Sequence, residues 1–276
     1  MVDEKVVSAH YKHNQMLELI EAGLLKMGKS VDNVTVEDLA PVDEFHIGGR
    51  PATEHLMKQL GFNSSDKLLD IGCGLGGASR FIAKTFGNSV TGIDLTDDFV
   101  SAGNSLTSWV SLEDSVSLHL GSALDMPFDE ASFNGAYMLH VGMNIQAKDK
   151  LFMEISRVLK PGSRLGIYDV MRTSQETLAY PVPWASDESF SFLATPAEYS
   201  ALLESAGFRI ESTINRKDFA VKFFRQLKEK TKAGGEPPPL GLHLVMQSTA
   251  ALKVSNMVTN IASDVVSPVE IIAQKI

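Results

Sequence analysis

A glycine turn flanked by two carboxylates is the part of this sequence best equipped for chemistry. Residues 68–77 read Leu-Leu-Asp-Ile-Gly-Cys-Gly-Leu-Gly-Gly, with Asp70 two positions ahead of Gly72, followed by Gly74 and Gly76. Such glycines accept positive φ and let a ligand approach the backbone with no Cβ in between. Eighteen residues beyond Gly76, Asp94 ends the run Thr-Gly-Ile-Asp with Leu95 next to it. A carboxylate there can accept hydrogen bonds from both hydroxyls of a ribose. Gly72, Gly74 and Gly77 also satisfy the G-x-G-x-x-G spacing, so the glycines alone leave an NAD(P)-dependent oxidoreductase open. Asp70 discriminates: a carboxylate beside the loop repels a pyrophosphate but suits a ligand bearing sulfonium and ammonium groups. Ser122 and Ala123, further along, are placed to meet an adenine edge.

These residues must be held by strands and helices, and the periodicity predicts which. Residues 67–71, 89–95, 116–120, 135–139, 164–171, 208–214 and 269–275 read as seven strands. Helical spacing recurs between them, at 78–86, 97–110 and 151–159, and from the Thr195–Glu198 capping box to Gly207. Repeated β-α units predict an α/β fold, a mostly parallel seven-stranded sheet with helices on both faces. Ahead of it, residues 14–27 place Leu17, Ile20 and Leu24 on one helical face, and Pro51 begins another helix that Gly61 ends. Residues 216–267 are too long for a connection between two strands and carry two helical patterns split by 234–239. The expected organisation is one domain over 1–276. Its core is 51–215 and 268–276; residues 1–50 and 216–267 form a helical cap over the ligand-binding edge.

With these elements in place the chain resembles the class I S-adenosylmethionine (SAM)-dependent methyltransferases, whose fold is Rossmann-like. The resemblance rests on Asp70, Gly72, Gly74, Gly76, Asp94 and the run Arg157-Val-Leu-Lys-Pro-Gly162. A narrower resemblance is to the phosphoethanolamine and sarcosine/dimethylglycine N-methyltransferases. It is carried by 45–50, Phe-His-Ile-Gly-Gly-Arg, and by 136–140, Ala-Tyr-Met-Leu-His. That resemblance implies Gly48 and Gly49 against the methionine part of the cofactor, and His140 paired with Tyr11 over the acceptor as the catalytic residues. Tyr137, Asp169, Trp184 and Tyr180 are the expected acceptor contacts, the aromatics through cation–π attraction to a methylated cation. The acceptor expected is therefore a small metabolite methylated at an amine nitrogen. Ala136 departs from the pattern, since those enzymes have an aspartate there that contacts the amine. This keeps open S- or O-methylation of a thioether, thiol or carboxylate, as well as a SAM-binding module without catalysis.

Composition narrows the partners. The 276 residues carry a net charge of −9, and the one modest basic cluster, Lys222 to Lys232, contains Glu229 and reads as a solvated helix face, which disfavours nucleic acid as substrate. No stretch is long and apolar enough to span a bilayer, and the single cysteine, Cys73, permits no internal disulfide. The histidines show no metal-ligand spacing. A cytoplasmic, metal-independent monomer or homodimer acting on a small molecule is expected.

Overall fold

The central strands of the sheet are covered on both faces, and alternation along the chain shows how. In the computed structural model, which describes residues 4–11, 15–234 and 238–276, Leu68 packs toward one layer of helices and Leu69 and Ile71 toward the other. The elements run α1 (Glu4–Tyr11), α2 (Met16–Lys26), α3 (Val36–Asp43), α4 (Arg50–Leu60), β1 (Lys67–Ile71), α5 (Gly77–Phe86), β2 (Ser89–Asp94) and α6 (Asp97–Trp109). After them come β3 (Val116–Leu120), β4 (Phe133–Leu139), α7 (Lys148–Val158), β5 (Leu159–Arg172), α8 (Pro196–Ser205) and β6 (Phe208–Asn215). The chain closes with α9 (Lys217–Gly234), α10 (His243–Met246), α11 (Ala250–Ala262) and β7 (Val266–Lys275).

The seven strands lie in the order β3-β2-β1-β4-β5-β7-β6, all parallel except β7, which runs antiparallel to both its neighbours. This is the α/β architecture expected. Strand order reverses direction between β1 and β4, so the crevice beyond their carboxyl ends is where such a sheet binds ligands. One core cluster packs α7 and α8 on one face, and a second packs α4 and α5 on the other. The expected capping box forms between Thr195 and Glu198 at α8, and a second, Thr35 with Asp38, starts α3.

Differences from the predicted elements have local causes. The Lys160-Pro-Gly162 run, expected to separate helix from strand, instead lies within β5. The chain leaves α7 already extended at Leu159, and a register shift opposite 133–135, with Gly162 at φ 80°, absorbs the proline. α2 begins at Met16 after Gln15 in a left-handed conformation; Asn14, the predicted start, lies outside the described residues, as do 235–237 of the predicted glycine-proline break. α9 packs on α11 and β7, and α10 joins α2 and α3, so helices from both ends of the chain roof the crevice. Among the described residues no helix is long and apolar enough to cross a membrane.

Candidate functional site

The site is assembled where β1 and β2 end side by side. The β1–α5 loop is pinned to β2 by its own amides: Gly72 and Cys73 both donate to the Ile93 carbonyl, at 2.8 and 3.0 Å. Asp94 completes the brace, accepting from the Gly74 amide at 2.8 Å and from the Thr96 amide at 2.9 Å. The three loop glycines divide the work. A Cβ on Gly72 would stand 2.5 Å from Val141, and one on Gly76 2.7 Å from Leu118, so these two serve close packing. A Cβ on Gly74, at φ 53°, would meet no protein atom within 4 Å. Its open side belongs to a cavity of about 2210 Å³.

Asp70, Gly72, Gly74, Asp94, Leu95, Ser122, Ala123, Gly48 and Gly49 all line this cavity; Gly76 sits behind it. Burial raises the Asp70 carboxyl to about 7 even though the Ser79 hydroxyl donates to it at 2.6 Å. Asp94 is raised for the same reason. Among the described residues neither carboxylate is paired with Lys or Arg. Two acids without a charged partner, Asp70 buried and Asp94 half-buried, beside a bare backbone turn fit a cationic nucleoside such as SAM and reject a pyrophosphate. The donor set and the open face of Gly74 therefore suit that group.

Over the cofactor seat runs the segment joining α3 to α4. His46 is fully enclosed there, its Nε2 3.1 Å from the Gly49 carbonyl and 2.9 Å from the Thr53 hydroxyl, and burial lowers it to about 4. Gly48, at φ 96°, has no room for a side chain because a Cβ would lie 2.3 Å from the Phe219 ring of α9. The segment is anchored from below by Asp43, whose carboxylate pairs with Arg80 of α5 at 2.7 Å with both side chains sealed from solvent. Arg80 also donates to the Gly103 carbonyl and the Thr107 hydroxyl of α6. Neither Asp43 nor Arg80 is singled out by the sequence; the Thr35-x-x-Asp38 capping box marks the start of α3, the helix that ends at Asp43.

His140 follows β4 at φ 57°, its amide donating to the Tyr168 carbonyl at 2.8 Å. The imidazole lines the cavity 5.1 Å from the Tyr168 ring and 6.1 Å from His46. Its Nε2 is buried with no hydrogen-bond partner, and burial together with His46 holds it well below the ordinary histidine range. The expected pairing of Tyr11 with His140 is not made: the Tyr11 hydroxyl donates instead to Asn144 Oδ1 at 3.1 Å, because α1 lies across the loop that follows His140. Tyr11 still lines the cavity, as does Glu4, which accepts from the Ser122 hydroxyl.

Of the four expected acceptor contacts only Trp184 lines the cavity. Tyr137 faces the opposite layer, sealed among Leu68, Tyr168 and the α4–α5 core. Asp169 is fully buried, accepting from the Tyr199 hydroxyl at 2.7 Å and from the Val170 amide, which turns its carboxylate toward α8. Tyr180 packs within the cluster beneath α9 and α11. Ala136 is wholly buried in the core. Among the described residues, every acidic side chain lining the cavity lies at or before Asp125 and none from Leu139 onward. On these residues the cavity has an acidic half over β1, β2 and β3 and a half without carboxylates beneath α9 and α11.

Comparison with known proteins bears on the domain and its fold. Residues 69–167 match the family model described as a methyltransferase domain. The chain is 30% identical over 177 residues to methyltransferase GfsG of Streptomyces halstedii, covering 62% of each chain. It spans 62% of that relative's length and less of the sterol methyltransferases it also matches. Haemonchus contortus phosphoethanolamine N-methyltransferase 2, solved with SAM, superposes with a TM-score of 0.71 at 22% identity over 84% of this chain and 54% of that one. Geranyl diphosphate C-methyltransferase of Streptomyces coelicolor superposes with a TM-score of 0.71 at 18% identity over 99% and 98%. At these identities the two structures establish a shared fold.

Proposed function

The chain carries a class I SAM-dependent methyltransferase domain, and from that premise we propose that it transfers the methyl of SAM to the hydroxyl of a small organic acceptor. SAM supplies an activated methyl: the acceptor oxygen's lone pair forms the new C–O bond as the S–CH₃ bonding pair returns to sulfur. The chain's own residues bind, orient and exclude water. Asp94 receives the ribose hydroxyls while bracing Gly74, and Asp70 faces the positive end of the nucleoside. Orientation of two reactants in one enclosed space can lower the barrier by about 7–11 kcal/mol. The hydroxyl's proton goes to Nε2 of His140 and from there to solvent.

The observation that carries this reading is the pair of carboxylates, Asp70 and Asp94, that carry no ion pair among the described residues and stand beside an open glycine face, with a neutral imidazole nitrogen in the same cavity. A hydroxyl is favoured over the amine expected from the sequence. An ammonium acceptor needs a carboxylate, and both candidate positions fail to supply one, Ala136 by identity and Asp169 by its bond to Tyr199. The acceptor as a small molecule and the enzyme as a monomer or homodimer are part of the same proposal.

Calorimetry with SAM and S-adenosylhomocysteine (SAH) tests the cofactor seat, and transfer of labelled methyl tests the reaction. Asp94→Ala is expected to weaken SAM binding severely. His140→Gln is expected to leave SAM affinity unchanged and lower kcat by about 10²-fold or more. Absence of SAM binding would sink the proposal, and an unaffected kcat would remove His140 from it.

A further inference from the structure

We infer that the acceptor is an uncharged, largely apolar molecule, bulkier than an amino acid, whose body lies under α9 and α11 while its hydroxyl reaches His140. The inference rests on the methyltransferase reading and names the class of substrate that reading leaves open. Three observations carry it.

The first is size. A single small-ligand pocket occupies about 300–1,000 Å³. At about 2210 Å³ the cavity has room for a second bulky molecule beside the nucleoside.

The second is the chemistry of the walls. Trp184 and Phe192 come from the segment between β5 and α8, Phe223 and Phe224 from α9, and Met257 and Ile261 from α11. Aromatic rings and a thioether offer large contact area that adapts to irregular apolar shapes. Phe223 and Phe224 are only half-buried, and Val221 and Val258, which also line the cavity, are 44% and 41% exposed. Apolar side chains left open on facing helices form a wall that an apolar occupant would complete.

The third is charge. Among the described residues no carboxylate lines this half, so an ammonium group would be desolvated without a partner there. The cations lining it, Lys150, Arg225 and Lys228, are exposed and remain hydrated. The polar groups nearest the loop after β4 are neutral: the His140 imidazole and the Asn144 amide.

The test uses the purified full-length chain saturated with SAH, titrated in a calorimeter with 1-naphthol and with ethanolamine. Binding of 1-naphthol at micromolar concentrations is expected, and none by ethanolamine. Val258→Asp puts a carboxylate into the apolar half at an exposed position of α11 and is expected to weaken 1-naphthol at least tenfold with SAH affinity unchanged. Phe224→Ala, at a half-buried position, serves as the second variant and is expected to weaken 1-naphthol severalfold. With SAH bound normally, preference for ethanolamine, no binding of 1-naphthol, or indifference of its binding to both variants would overturn the inference and leave the methyltransferase reading standing. Failure to bind SAH would take down both.

Discussion

Asp70 is the residue on which cofactor recognition turns, and its titration makes that measurable. Burial raises its carboxyl to about 7, so below that pH it is protonated in the ligand-free protein. A cationic nucleoside favours the ionised form, and binding must therefore release the proton. The sign follows: SAM affinity should fall as pH drops below about 7, approaching tenfold per unit, and level off above it. Calorimetry in buffers of different ionisation enthalpy should show a proton released at pH 6 and little release at pH 8.5. His140 behaves in the opposite sense. Its imidazole stays neutral well below the ordinary histidine range, so its proton-accepting form persists through mildly acidic conditions.

At the scale of elements, α3 is tied to α5 and α6 through the sealed pair of Asp43 and Arg80. Removing one partner strands the other charge in a dry interior. Asp43→Ala is expected to destabilise the fold by about 3–5 kcal/mol, read as a lowered denaturation midpoint, whereas removing the exposed Lys84–Glu37 pair should cost about 1 kcal/mol or less. The legibility of the sequence divides along the same line. Strands β1 to β4 and the glycine turn could be read because alternation and positive-φ glycines are local signals. Asp70 and Asp94 follow from their distance to that turn, and the structure puts both on the cavity. What the sequence conceals is direction in space. Asp169 sits at the end of the expected strand, but the choice between the cavity and Tyr199 is made by how α8 packs. The pairing of Asp43 with Arg80, 37 residues apart, has no periodic signature at all. Nor do Phe223 and Met257 differ in type from core residues; only the meeting of α9 and α11 over the crevice makes them a wall.

For the whole molecule, the buried acids set how stability depends on pH. Asp70 and Glu44 are raised by burial to about 7 and 8, whereas in the unfolded chain they ionise near 4. The folded protein holds protons that the unfolded one has lost, so stability falls as pH rises through that window, by up to about 1.4 kcal/mol per unit and group. His46 and His140 act only below about 6.5, where the unfolded chain gains protons that the folded one refuses. A thermal-denaturation series is expected to show the ligand-free Tm lower at pH 8 than at pH 6.5, with a smaller drop when SAM is present. A Tm that rises toward pH 8 would contradict the placement of these carboxyls. The undivided shape of the cavity has a further consequence. Gly74 and Met257 line one and the same cavity. A compound tethering a thioether nucleoside to a hydrophobic tail would span that space held at both ends, each end raising the effective concentration of the other into the millimolar range. Bisubstrate inhibitors of this chain should therefore be limited by the length of the tether.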